Sequence, residues 1–334
     1  MTAPPLFRAR ARGRAKVLVS TSGARRERGK GVRMRAVILT AYGDVDRLEV
    51  RDLPLPVPGP DEIAVRVAGA SINPIDWKVR SGALQSFMPL ELPAVLGRDA
   101  SGTVSALGPG VTRFSVGARV MGLVQRAYAE VVVAKVDAWA ELPEGLDLVD
   151  AAALPLVVLT GAQLVEDAVN IREGESLLVT GATGSVGRAA VFVAKQLGAR
   201  VYAAVRDKHR ADAAKLGAAA VVVLDDDGEL ERLPPLDAIA DTVGGPTTRK
   251  LLAKVKPGGR IGSVVGEPAG AKERGLSVRA FLAHPDSRRL AELGRAVAAG
   301  RLLIPIARRF PLAQAAQAQN LAESGAGGKV LLIP

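Results

Sequence analysis

The segment Thr180-Gly181-Ala182-Thr183-Gly184-Ser185-Val186-Gly187 constrains the fold more than any other stretch of this 334-residue chain. It follows an apolar run, Leu177-Leu178-Val179, that reads as a buried strand, and it opens an alternating apolar stretch that reads as a helix. Glycines at these spacings let the backbone turn sharply and approach a ligand closely, while the helix start offers unpaired N–H groups. Strand, glycine-spaced turn and helix in that order form a cradle for the pyrophosphate of a dinucleotide. A purely structural turn is the alternative, and the strand before and the helix after weigh against it.

The next strand, Arg200-Val201-Tyr202-Ala203-Ala204-Val205, ends at Arg206, nineteen positions past Gly187. A site built for NAD places a carboxylate near this point, against the ribose hydroxyls. Here Arg206 comes first, followed by Asp207, Lys208, His209 and Arg210. A guanidinium forks onto the additional 2′-phosphate of NADP. The tip therefore reads as an NADPH site with Arg206 and Arg210 at the phosphate. Asp207 leaves a one-residue shift open, which would return a carboxylate to the ribose.

The formal charge of +11 is concentrated at one end. Residues 1–33 hold ten Lys/Arg against one acid, Glu27, whereas the rest hold 35 basic and 33 acidic side chains. The body therefore carries no general nucleic-acid surface, and only the Arg-rich segment offers one. That segment has no apolar periodicity and is expected to be disordered. It also has the composition of a transit peptide, but Met34-Arg35-Ala36-Val37-Ile38-Leu39 opens a strand at once, which makes Met34 the expected natural start. Zero cysteine excludes disulfides and thiolate ligands and fits a cytoplasmic location. His209 and His284 are the only imidazoles, so a histidine-rich metal site is excluded too. No apolar run approaches the roughly 20 residues that span a bilayer, and no membrane partner is expected.

Residues 35–145 read as all-β, with short apolar runs at 36–39, 63–68, 102–106, 119–123 and 129–133 between Pro/Gly turns. From about residue 150 the period changes. A helix over 147–153 leads to the strand–turn–helix at 176–197, strand 200–205 and helix 208–216. Strands at 221–224, 236–241 and 260–265 follow, with a helix near 247–255 between the last two. Such βα alternation specifies a parallel, doubly wound sheet of the α/β class. A helix over 286–299 precedes a return to short strands in 301–334.

These features together resemble the medium-chain dehydrogenase/reductase superfamily, and within it the zinc-free quinone oxidoreductases. The resemblance covers about residues 34–334. Its carriers are Asn73-Pro74-Ile75-Asp76-Trp77-Lys78-Val79-Arg80-Ser81-Gly82, Gly97-Arg98-Asp99-Ala100-Ser101-Gly102, the 180–187 turn, Asp241-Thr242-Val243-Gly244-Gly245 and Gly327-Gly328-Lys329-Val330. It implies a GroES-like β-barrel catalytic domain over 34–155, completed by 301–334, and a Rossmann NADP-binding domain over 156–300, with the active site in the cleft between them. Residues 1–33 stand outside it as a basic extension. It also implies a homodimer through edge strands, with 275–281 as the candidate edge. In the zinc-dependent alcohol dehydrogenases of the superfamily, a cysteine stands at the position of Asn73 and the histidine of a Gly-His-Glu motif at that of Arg98. Both ligands are missing here, so zinc-assisted alcohol oxidation is not expected. Extended short-chain dehydrogenases share the glycine string but need a Tyr-x-x-x-Lys pair, and none of Tyr42, Tyr128 and Tyr202 has a lysine four residues on.

The implied activity is NADPH-dependent, metal-free hydride transfer to a quinone or an α,β-unsaturated carbonyl. An enoyl-thioester or alkenal reductase of the same superfamily and a non-catalytic NADPH-sensing protein are the alternatives. Candidate catalytic residues are Asn73, Asp76 and Tyr128. Asn73 has an amide that donates to substrate or nicotinamide, or else caps the turn before Pro74. Asp76 anchors the loop in an ion pair with Lys78 or Arg98, or acts as an acid. Tyr128 donates to a carbonyl or serves as an amphipathic core residue; Tyr42 is placed similarly, and His284 reads as surface structure. By resemblance, Thr160 contacts the cofactor, Gly184, Ser185 and Val186 give N–H groups to the pyrophosphate, and Gly181 and Gly187 shape the turn. Gly244, Val264, Val265 and Gly266 lie at strand ends along the cofactor. Gly327 and Lys329 match a motif close to it, with Lys329 alternatively tying the domains together. The strand tip departs from relatives that carry a smaller residue followed by lysine, and Gly327-Gly328 replaces a bulkier pair.

Overall fold

Six strands lie side by side, all parallel, in the order β11-β10-β9-β12-β13-β14. They are β9 (Ser176–Thr180), β10 (Arg200–Val205), β11 (Ala220–Val223), β12 (Leu236–Asp241), β13 (Val255–Ser263) and β14 (Ser277–Ala280). Strand β9 sits in the middle, and the chain moves outward from it first one way and then the other. Between β9 and β12 the winding direction therefore reverses, and a crevice opens at the C-terminal strand ends there. Both faces of this sheet are covered. Leu177, Val179, Val201 and Ala203 face one apolar core, and Leu178, Tyr202 and Ala204 face another. This explains why the strands are nearly continuous apolar runs.

The remaining strands form two antiparallel-rich sheets. Strands β1 (Arg33–Leu39), β2 (Leu48–Pro54) and β4 (Ala94–Val95) make a three-stranded sheet. In the second, β3 (Glu62–Ser71), β5 (Asp99–Leu107), β6 (Arg119–Leu123) and β8 (Trp139–Glu141) are joined by β7 (Val131–Lys135), which pairs with β3. The last two strands, β15 (Ile306–Pro311) and β16 (Lys329–Ile333), return to this sheet, where β16 runs antiparallel to β3. The chain end thus lies beside Ser71, two residues before Asn73.

Among the described residues eight α-helices complete the fold: α1 (Pro74–Arg80), α2 (Pro155–Gln163), α3 (Ser185–Gln196), α4 (Arg210–Ala214), α5 (Asp227–Glu231), α6 (Gly245–Leu251), α7 (Ser287–Ala298) and α8 (Ala315–Glu323). All of α2 except Leu156 is buried. It packs between Met121 and Leu123 of the antiparallel sheet and the α3 face of the parallel one, so a single apolar core crosses the junction. Each fully buried Leu or Val there contributes about 1.5–3 kcal/mol. By length and composition Asp150–Ala168 is apolar enough to cross a membrane, contrary to the run-length expectation above, but most of it is buried in this core.

The computed structural model describes residues 32–334, of which Arg33–Pro334 form one compact unit. The expectations for the basic segment (disorder, targeting, nucleic-acid binding) fall outside the described residues.

Candidate active site

The glycine turn leaves β9 at the point where the winding reverses. Gly181 has φ +61°, and a Cβ on Gly187 would lie 2.2 Å from the Gly181 carbonyl oxygen and 2.8 Å from the Cα of Ala182. Neither neighbour can swing aside because both are backbone, so the turn closes only with glycine at 187. Gly184 is the N-cap of α3, and no side chain caps that helix. The N–H groups of its first turn, at Ser185, Val186 and Gly187, stay open for an anion, with the helix dipole behind them. Arg188 stiffens the turn from beneath: its Nε donates to the Thr183 carbonyl at 2.9 Å and its terminal nitrogen pairs with Asp212 of α4.

Opposite the turn, Asp241 ends β12 fully buried. Its Oδ1 accepts from Thr180 Oγ1 (2.9 Å), Thr248 Oγ1 (2.7 Å), and the N–H groups of Val243 (3.2 Å) and Gly244 (3.0 Å). Its Oδ2 accepts from Ser263 Oγ at 3.1 Å. Thr242 adds two bonds to Thr180. One carboxylate therefore ties the ends of β9, β12 and β13 together across the crevice. Beyond it Val243 and Val265 remain 46% and 40% exposed, an apolar lip flanked by Gly244 (φ +73°) and Gly266 (φ +108°). Thr160 lies buried on α2, its hydroxyl donating to the Leu156 carbonyl one turn back at 2.5 Å.

The two arginines expected at a 2′-phosphate are not equivalent. Arg210 is held by Asp207 at 3.3 Å and by Glu229, which also accepts from the Val223 N–H at 2.7 Å. Those carboxylates push the Arg210 pKa further up. Arg206 is exposed directly after β10 and has no carboxylate partner among the described residues.

The loop at residue 73 sits over a dry polar cluster. Asn73 is the N-cap of α1, but its amide looks inward. Its Nδ2 donates to Asp99 Oδ2 at 2.8 Å, and its Oδ1 accepts from Lys329 Nζ at 2.5 Å. Lys329 also donates to the Ile72 carbonyl (3.0 Å) and lies 3.7 Å from Asp99. Burial lowers the Lys329 pKa, opposed by the nearby carboxylates of Asp99 and Asp76. Asp99 further accepts from Ser71 Oγ (2.6 Å) and from the Leu156 N–H (2.7 Å) at the start of α2. The expected ion pair of Asp76 with Lys78 or Arg98 is not formed. Asp76 Oδ2 instead accepts from the Asn73 N–H (2.8 Å) and the Tyr128 hydroxyl (2.9 Å). The cation nearest in sequence lost to a donor brought in by the fold. Tyr42 lies elsewhere, its hydroxyl oxygen accepting from the Leu90 N–H at 2.9 Å, and the backbone of His284 is held by Gln163.

Burial raises the Asp76 pKa from 3.8 to about 6, with the Asn73 and Tyr128 bonds opposing the rise. The same burial, with Asp76 beside it, raises that of Tyr128. The folded protein thus holds the Asp76 proton more tightly than the unfolded chain does. This stabilisation is complete below about pH 4 and is lost as pH rises through about 6, by roughly 3 kcal/mol. In Asp76→Asn an amide oxygen accepts the same two bonds without titrating. Urea unfolding from about pH 4 to pH 7 is expected to show wild type losing stability relative to the variant; parallel curves would contradict it.

Among the described residues no group of three or more His, Cys, Asp or Glu is arranged to hold a metal ion. A groove of about 910 Å³ lined by Arg113, Glu141, Pro143, Arg288 and Arg295 contains none of the residues above. The crevice, with its glycine turn, open helix start and carboxylate hub, is the site favoured on chemical grounds.

Two family models match this chain: the alcohol dehydrogenase GroES-like domain over residues 59–144 and the zinc-binding dehydrogenase domain over 216–332. The quinone oxidoreductase of Pseudomonas aeruginosa is 31% identical over 326 residues, covering 90% of this chain and 99% of that protein. The chain belongs to the quinone oxidoreductases of the medium-chain dehydrogenase/reductase superfamily. Its fold is that of the family, a GroES-like part joined to a Rossmann sheet. The quinone oxidoreductase of Coxiella burnetii superposes with a TM-score of 0.81 at 30% identity, covering 91% of this chain and all of that one. A structure titled as an NAD-dependent alcohol dehydrogenase gives 0.80 at 31%, covering 90% of this chain and all of that one. The chain spans about half the length, or less, of the first curated relatives it matches.

Within this quinone oxidoreductase fold, Asp99, Ser71, Asp241 and Arg188 are the site-building residues that sequence reasoning did not single out. Asp99 and Asp241 lay inside motifs already noted. A carboxylate in an otherwise apolar strand, as in Leu236-Asp237-Ala238-Ile239-Ala240-Asp241, was the available signal.

Proposed function

We propose that this chain is an NADPH-dependent reductase that delivers hydride to quinones or α,β-unsaturated carbonyls without a metal ion. The observation that carries the reading is the uncapped glycine cradle at the strand crossover, one strand over from Arg206, which has no carboxylate partner among the described residues. The bound cofactor supplies the hydride from its reduced nicotinamide ring. Ser185 and Val186 bind the pyrophosphate through backbone N–H groups, with Gly181 and Gly187 leaving it room, while the expected Gly184 N–H is instead spent on the Gly181 carbonyl at 2.9 Å and holds the turn closed. Arg206 meets the 2′-phosphate, and Arg210, already neutralised, holds the tip in shape. Thr160, Gly244, Val264, Val265 and Gly266 line the path toward the nicotinamide, and the apolar lip keeps that end dry. Asn73, Asp76, Tyr128 and Lys329 set the floor on which the acceptor lies. The exposed edge of β14 is the surface through which two copies pair.

A guanidinium–phosphate bond contributes about 1.5–3 kcal/mol. Arg206→Ser is therefore expected to weaken NADPH binding by about 10- to 100-fold while leaving NADH binding unchanged. Arg210→Ala is expected to change NADPH binding far less, because its partners are two carboxylates. Cofactor fluorescence titration measures both, and equal effects of the two variants would place the phosphate elsewhere. Turnover against a panel of quinones, enones and enoyl thioesters identifies the acceptor class. NADPH binding with no turnover on any of them would favour a sensing role.

A further inference from the structure

Three arginines bury their Nε without a hydrogen-bond partner: Arg98, Arg260 and Arg289. Two of them are nonetheless anchored through their terminal nitrogens, Arg260 by Glu175 and Arg289 by Glu166 and Glu292. Arg98 has no carboxylate partner among the described residues, and its side chain is half-buried. A guanidinium desolvated along one edge, with neither counterion nor acceptor, is costly to keep.

Its place in the fold shows what would relieve that cost. On one side is Gly97, packed so tightly on Tyr128 that a Cβ would lie 2.5 Å from the ring. On the other is Asp99, which grips Asn73 and the start of α2. The Arg98 carbonyl accepts from the Val124 N–H at 2.8 Å. The backbone carrying this cation is therefore fixed between the residue-73 loop and the helix bearing Thr160. We propose that Arg98 donates to the carbonyl oxygen of the acceptor and holds the negative charge that this oxygen gains, so that the preferred substrates are those reduced to an enolate or phenolate.

This proposal rests on the reductase reading. Hydride brings two electrons and forms a C–H bond at the β carbon of an enone. The C=C pair shifts toward the carbonyl carbon, and the carbonyl π pair moves onto oxygen, where Arg98 meets it. The α carbon then takes a proton from water as the C=O bond re-forms. Arg98 gives no proton to the product. Its contribution is a fixed donor aimed at developing charge.

The test uses the full chain loaded with NADP⁺ and titrated with 4-nitrophenolate, whose anionic oxygen stands in for the enolate, followed by its absorbance shift. Wild type is expected to bind it, Arg98→Met to bind about 10- to 100-fold more weakly, and Arg98→Lys to recover part of the loss. With 2-cyclohexenone and NADPH, kcat of Arg98→Met is expected to fall about 100-fold, with NADPH affinity unchanged and Tm not lowered. Phenolate binding absent in wild type, or equal in wild type and Arg98→Met, would overturn the proposal, as would a parallel loss of NADPH affinity. Phenolate binding through Arg98 without turnover of any acceptor would sink the reductase reading and leave the anion subsite standing.

Discussion

Asp99→Ala is expected to destabilise the protein by about 3–5 kcal/mol, the cost of leaving a buried charge without its partner. The substitution strips the acceptor from Ser71 Oγ, Asn73 Nδ2 and the Leu156 N–H at once, and leaves the Lys329 ammonium buried beside a void. Since a domain is stable by only about 5–15 kcal/mol, this is a large share of the total. Urea unfolding at neutral pH measures it, and a loss below about 1 kcal/mol would show the cluster to be ornamental. Adding Lys329→Met to the variant removes the stranded charge, so the double substitution is expected to recover part of the loss. The physical reason is that Asp99 joins three segments far apart in sequence: the residue-73 loop, the start of α2 and the last strand.

Gly187→Val is expected to weaken NADPH binding by about 100-fold, the scale of a displacement near 1 Å at a positioned ligand. Its side chain would run into the Gly181 carbonyl oxygen and Ala182 Cα, and the turn would have to open. Overpacking of this kind also costs about 1–3 kcal/mol in stability, short of unfolding. Gly184→Ala is the control, because its Cβ would meet only the Gly181 oxygen, at 3.2 Å. Titration of cofactor fluorescence separates the two. Equal, near-wild-type affinities would mean that the pyrophosphate does not sit on this turn.

The parallel half of the fold was legible because its signals are local. The run Leu177-Leu178-Val179, the glycines and the amphipathic helix behind them occupy a single stretch of chain, and β9, the turn and α3 fall where the pattern puts them. Helix α2 was not legible. It is apolar on every side, with Pro155 at its start and Val157 and Val158 within it, so no polar face reveals a helical period. The expected helix over 147–153 is only a short 3₁₀ turn, Asp150–Ala153. Helix α8 was read as strand because its buried positions are Ala315, Ala318 and Gln319, which give little apolar contrast. At the site, motif glycines and the charged strand tip could be read residue by residue. The pairing of Asp76 with Tyr128, and of Asn73 with Lys329, joins positions 52 and 256 residues apart. Nothing local in the sequence encodes such pairs.

The most direct test of the account is steady-state oxidation of NADPH and of NADH by 1,4-benzoquinone, each with and without EDTA. Turnover is expected to prefer NADPH and to be untouched by the chelator, because cofactor and acceptor are held through backbone N–H groups and guanidinium charge. Activity that prefers NADH, or that disappears with EDTA, would contradict it.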